Sequence, residues 1–95
     1  MDCKIIGQVL TMQHNTFVGS EGTNVDYYSC IMFDQHGFKD EDKVMVIKVD
    51  KTAIEKYDLK NKLNQFDGKF VQVNGILTTN DGSKVFKAIE FIAKQ

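Results

Sequence analysis

The sequence has no arginine, no tryptophan and no proline. All twelve basic residues are lysine, and thirteen acidic residues bring the formal net charge to −1. Without Arg there is no planar guanidinium fork to read guanine edges or clamp a phosphate through two parallel bonds, so sequence-specific readout of a nucleic acid is not expected. Near-neutrality also means that the molecule as a whole does not draw in polyanions. There is no apolar run of about 18 residues to cross a bilayer. The opening "MDCKIIGQVL" leads into strand-like sequence without the basic-then-apolar layout of a signal peptide, so a cytoplasmic protein with no membrane partner is expected. The only two cysteines, Cys3 and Cys30, read in that setting as reduced, buried thiols rather than a disulfide. Lys, Asn and Ile are plentiful beside these absences, a composition typical of an AT-rich genome.

What remains is ordinary for a folded domain. Ninety-five residues accommodate one domain, 1–95, and 42% hydrophobic with 26% charged residues argues against disorder. A chain of this size buries roughly 60–70% of its unfolded surface, which makes a thin core.

The alternation of residues predicts five strands and one helix. A first strand is expected over Lys4 to Phe17, with Ile5, Gly7 and Val9 on one face and a bulge or bend at Gly7. Gly19 to Asn24, "GSEGTN", reads as a loop. The second strand, Val25 to Asp34, is dense in aromatic and β-branched residues. Small, soft Cys30 and Met32 place Tyr28's face in the core and turn Tyr27 and Phe33 outward. "QHGFKDEDK" predicts a turn with Asp40, Glu41 and Asp42 at its tip. The third strand, Lys43 to Asp50, points Met45, Ile47 and Val49 inward, because Lys48 must stay in water with Val44 and Val46. Thr52 and Glu55 have capping-box spacing at a helix start, followed by an apolar stripe of Ile54, Leu59, Leu63 and Phe66 that Asp58 to Asn61 threatens to interrupt. The last elements form a hairpin around Asp81-Gly82, with Val71, Val73, Gly75 and Leu77 on one face of its first strand. In its second strand, Val85, Ile89 and Phe91 are expected on one face and Lys84, Phe86 and Ala88 on the other.

Strand, strand, strand, helix, strand, strand is the element order of the oligonucleotide-binding (OB) fold, a five-stranded Greek-key barrel. The tip of its final hairpin, Thr78 to Ser83, would overhang one side of the binding face.

"FDGKFVQVNGIL", Phe66 to Leu77, is similar to the G-x-x-V-x-V-x-G-x-L pattern of the fourth strand in bacterial single-stranded DNA-binding proteins. "VIKVDKTAIEKY", Val46 to Tyr57, resembles their passage from strand to helix, and the size and Tyr-rich second strand are similar to the small helix-destabilising proteins of filamentous phages. The resemblance spans most of the chain in element order and about thirty residues in wording, mainly structural ones. It implies sequence-tolerant binding of single-stranded DNA, a homo-oligomer, and a role in replication, recombination or transfer, with a phage or mobile element as the expected source. RNA is the alternative ligand. Two departures stand out: the family's Trp platforms are missing, and the chain ends at Lys94 and Gln95 without an acidic tail, so partner recruitment through such a tail is not expected.

Sequence-tolerant binding needs a basic groove that follows phosphates and flat rings on which bases stack. Tyr27, Phe33 and Phe86 are the candidate platforms, with Phe17 beside the first loop and Lys43, Lys48, Lys84 and Lys87 around them. Two or three stacked bases contribute about 3–9 kcal/mol, against about 8 kcal/mol for micromolar affinity. Three or four neutralised phosphates give a salt slope of about −2 to −3. A binder should carry a continuous path of Lys and aromatic residues over the second and third strands. The alternative, a protein-interaction module serving as a small subunit or inhibitor in a nucleic-acid-processing complex, should carry a dry apolar patch there. No enzyme is expected. Cys30 and His36 lack a second ligand pair at zinc spacing, His14 and His36 read as solvated loop residues, and "GSEGTN" lacks the Lys and helix of a phosphate-binding loop. No metal, cofactor or catalytic residue is predicted.

Overall fold

A computed structural model describes residues 2–34, 44–80 and 82–94. The elements follow the expected order: β1 (Asp2–Val18), β2 (Asn24–Asp34), β3 (Val44–Val49), α1 (Lys51–Lys56), β4 (Phe70–Asn80) and β5 (Ser83–Ala93). The turn predicted over 35–43, with His36, the acidic triplet Asp40, Glu41 and Asp42, and Lys43, lies outside the described residues, as does Asp81. The strands form one mainly antiparallel sheet closed into a barrel, in the neighbour order β1-β2-β3-β5-β4. Among the described residues, no helix is long and apolar enough to cross a membrane.

Closure depends on β1 pairing on both sides. Asp2 to Gln8 pairs with β4, and Gly7 to Val18 pairs with β2. Gly7 belongs to both ladders, and a Cβ there would run into the Phe33 carbonyl oxygen, so the close approach of backbones requires glycine. Of the bulge or bend expected at Gly7, the bulge lies elsewhere, between Val9 and Thr11, while Gly7 stands where β1 passes from one ladder to the other. One extra residue, Leu10, lets Val9 and Met12 both point inward although they are three positions apart.

β5 corrects its prediction in the same way. Asn74 faces Glu90 but Gly75 faces Ala88, so Ile89 is an extra residue that reverses the faces. Ala88 and Phe91 are therefore both buried, and Phe86 packs against the core instead of facing out. On β2 and β3 the alternation largely holds as predicted: Tyr28, Cys30, Met32, Ile47 and Val49 are buried, while Tyr27, Phe33, Val44 and Val46 are exposed and Ser29, on the outward face, is buried.

The helix is shorter than its apolar stripe suggests. Its cap is Asp50, not Thr52: the Asp50 carboxylate accepts a bond from the Thr52 backbone N–H at 3.0 Å. After Lys56 the chain leaves the helix, with Asp58 at φ 51°, a left-handed conformation that ends helices. Gln65 Nε2 donates to the carbonyl of Tyr57, the helix C-cap, at 2.6 Å and to the Lys62 carbonyl in the following turns at 2.9 Å. Leu59 and Phe66 still reach the core, from hydrogen-bonded turns rather than from a helix.

Both cysteines are free, Cys30 fully buried and Cys3 half-buried. Burial, with a smaller push from the Asp67 charge, raises the Cys30 thiol to about 12, so it stays protonated and inert.

Candidate nucleic-acid interface

The last pair between β2 and β3 is Ser29 with Lys48. From Asn24 to Tyr28, β2 pairs with β1 alone, so the β1–β2 hairpin runs on past the end of β3 as a two-stranded arm. The arm's loop is closed by two backbone bonds, Gly19 N–H to the Thr23 carbonyl at 2.7 Å and Gly22 N–H to the Gly19 carbonyl at 3.0 Å. On one face of the arm, Phe17 and Tyr27 meet at 5.7 Å between ring centroids, tilted 57°, and are 52% and 40% exposed. On the other face His14 stacks on Tyr28 at 4.4 Å, nearly parallel, with its Nε2 3.5 Å from the Asp26 carboxylate. His14 is thus part of β1 and not the loop residue that its sequence context suggests.

The angle between this arm and the barrel wall forms a groove of about 530 Å³, lined by Phe17, Tyr27, Tyr28, Lys48, Val49 and Lys87. Parallel pairing of β3 with β5 sets Lys48 directly beside Lys87. Among the described residues, neither ammonium forms an ion pair with a carboxylate. Among the described residues, two neighbouring cations outside any ion pair make a local positive spot on a molecule of net charge −1. The Asp50 carboxylate is held below the usual carboxylate range chiefly by the Thr52 backbone N–H, with a smaller pull from Lys87.

Two further grooves adjoin this one and share Lys48. One, of about 290 Å³, runs along Thr78, Thr79, Val85 and Lys87 toward the β4–β5 turn. The other, of about 500 Å³, lies between β3 and β5 and is lined by Ile5, Met45, Val46, Ile47, Lys84, Val85 and Phe86.

The predicted residues therefore divide. Phe17, Tyr27, Lys48 and Lys87 come together in the arm groove. Lys84 and Phe86 line the groove between β3 and β5, but Phe86 is half-buried against the core, contrary to its predicted outward position, because of the extra residue at Ile89. Phe33 stands apart, paired with Val44 and Gln8 at the far end of β2, and Lys43 lies outside the described residues. Sequence reasoning missed Tyr28 and Val49, since inward alternation assigns both to the core; they line the groove because β3 stops where the arm continues. The outer face of β2 and β3 is itself mixed. Tyr27, Ser29 and Lys48 occupy one half, and the apolar pairs Ile31 with Val46 and Phe33 with Val44 occupy the other.

No protein-family model, curated protein or solved structure matches the chain.

Proposed function

We propose that this chain is an OB-fold protein that binds single-stranded DNA with little sequence preference, in support of replication, recombination or transfer, in a phage or mobile element. The observation that carries the reading is the arm groove, where two exposed rings, Phe17 and Tyr27, share a wall with two adjacent ammonium groups, Lys48 and Lys87. Rings supply stacking surface for any base, and the cations follow phosphates; together they are the minimal apparatus for sequence-tolerant binding. The strand order β1-β2-β3-β5-β4, with the helix between β3 and β4, supports the OB reading of the barrel. With Lys and no Arg, the cations carry no bidentate base readout, and the few of them at the grooves give a modest salt dependence.

The test is a titration of a fluorescent oligothymidylate of about 30 nucleotides, several site sizes long, beside matched duplex. Single-strand binding at micromolar protein is expected, with a salt slope of about −2 if Lys48, Lys84 and Lys87 each neutralise one phosphate. Tyr27→Ala should weaken it by about 1–3 kcal/mol, roughly 5- to 150-fold. Absence of binding at about 100 μM protein in low salt, weaker than about −5.5 kcal/mol, overturns the reading.

A second reading, a protein-interaction module, rests on the apolar half of the β2–β3 face formed by Ile31, Phe33, Val44 and Val46. It predicts no DNA binding and a protein partner on that face.

A further inference from the structure

We infer that Lys48 and Lys87 are the shared wall of a two-part subsite for a terminal nucleotide, its base on Phe17 and Tyr27 and its phosphate monoester beside Thr78 and Thr79. The inference rests on the proposed single-strand reading and deepens it, by naming the part of a strand that the site prefers. Its starting point is that the same two lysines line two adjoining grooves of opposite character. On one side is the arm groove of about 530 Å³, walled by the rings of Phe17, Tyr27 and Tyr28. On the other is the smaller groove of about 290 Å³, where Thr78, Thr79 and Val85 complete the lining. A nucleotide has the same division, a flat ring at one end and an anion at the other.

Charge decides which phosphate fits. Lys48 and Lys87 are register partners on neighbouring strands, whose backbones lie about 4.8 Å apart. Like charges set directly opposite each other destabilise a sheet. Among the described residues neither lysine joins an ion pair, and no carboxylate lines either groove. The Asp50 carboxylate, which feels Lys87, is engaged by the Thr52 backbone N–H at 3.0 Å. Two cations anchored this close are relieved most by one group that carries both compensating charges. A phosphate monoester carries about −1.5 to −2 at pH 7, whereas each phosphodiester inside a strand carries a single charge.

The hydroxyl side of the smaller groove suits the same group. Thr78 is paired with Val85, two residues from Lys87, so Thr78 and Lys87 share a face of the β4–β5 hairpin. The Thr78 hydroxyl reaches the Val85 carbonyl only at 3.5 Å, longer than a good O–H···O bond, and is available to a closer acceptor. A monoester has three terminal oxygens, enough for both ammonium groups and this hydroxyl, and bonds of this kind to a charged acceptor are the strong ones. The group occurs at the end of a strand and in a free nucleotide.

The test compares oligothymidylates of about 10 nucleotides, within the site sizes of one OB barrel, carrying a 5′-phosphate or a 3′-phosphate. Each is titrated beside a hydroxyl-ended twin, with a fluorophore on the opposite end of both. One phosphorylated end should bind about tenfold or more tighter than its twin. Lys87→Gln should abolish that preference, and Thr78→Val should reduce it by about threefold or more, with circular dichroism unchanged because both residues are exposed. Should Lys87→Gln fail to fold, Lys48→Gln must give the same loss. In parallel, the backbone amide resonances of Thr78 and Lys87 should shift with thymidine monophosphate and not with thymidine. Equal affinity for phosphorylated and hydroxyl-ended strands overturns the inference and leaves the single-strand reading standing, as does a preference that survives in both folded lysine variants. Thymidine monophosphate binding by a chain that binds no strand supports the subsite for free nucleotides and overturns the single-strand reading. Resonances that stay in place, with no strand bound, overturn both.

Discussion

Two groups of aromatic rings in this barrel have opposite surroundings. Tyr57, Phe66 and Phe91 pack on one another at 5.1–5.7 Å between centroids, two contacts edge-on and one stacked. The Tyr57 hydroxyl fastens the group to β5: it accepts from the Phe91 N–H at 2.8 Å and donates to the Phe91 carbonyl at 3.1 Å. Phe17 and Tyr27 also touch, but they stand in water beside Lys48 and Lys87. Rings in the first group contribute to folding by leaving water and filling space. Rings in the second group contribute little to folding, and their exposed faces remain free for a ligand. Ring type alone does not separate the two roles; what covers each ring does.

The sharpest way to break that comparison is to truncate one ring from each group. Phe91→Ala should cost about 3–5 kcal/mol of stability in urea denaturation, whereas Tyr27→Ala should stay within roughly 0.5 kcal/mol while impairing the proposed DNA binding. Equal destabilisation by the two would place Tyr27 in the structural group. A smaller effect is expected from Tyr57→Phe, which keeps the ring packing but strips two backbone groups of Phe91 of their partner. A loss of about 1–3 kcal/mol, read as a lowered thermal midpoint with unchanged DNA affinity, would confirm that the hydroxyl acts on the fold alone. The smallest effect concerns acid. Because the folded-state pKa of Asp50 lies below its ordinary 3.8, its contribution is complete above that value and fades as pH falls through the folded one. Asp50→Asn retains a capping side chain without the titration, so its stability should fall less than the wild type's between pH 5 and pH 2, a range spanning about the titration of a depressed carboxylate. Parallel acid limbs would show that the cap charge is irrelevant.

Strand alternation was legible where a strand carries no extra residue. Met45, Ile47 and Val49 inward, and Tyr27 and Phe33 outward, follow from period two and from the cost of burying Lys48. It failed at β5, where one extra residue at Ile89 inverts the faces, so Phe86 turns from a candidate platform into a core neighbour. Sequence carries little warning of a bulge, because it arises from how two curved strands meet rather than from the residue inserted. The helix misread has a local cause: Asp50 and Thr52 are both good caps, and Asp50's side chain takes the bond first. Of the candidate site, Lys48 and Tyr27 were readable as outward residues on their own strands. That Phe17 and Lys87 stand beside them was not, since one lies at the end of the arm and the other on the last strand.

By itself the sequence determined the order of elements, the inward faces of β2 and β3, and the absence of any Arg-based readout, all properties of composition or of residues a few positions apart. Tertiary structure decided which strands close the barrel, where Leu10 and Ile89 shift the register, and that β1 and β2 outrun β3 to form an arm. Those depend on the length and curvature of strands distant in the chain meeting in space. No local pattern encodes that meeting, and it is what brings two rings and two cations into one groove.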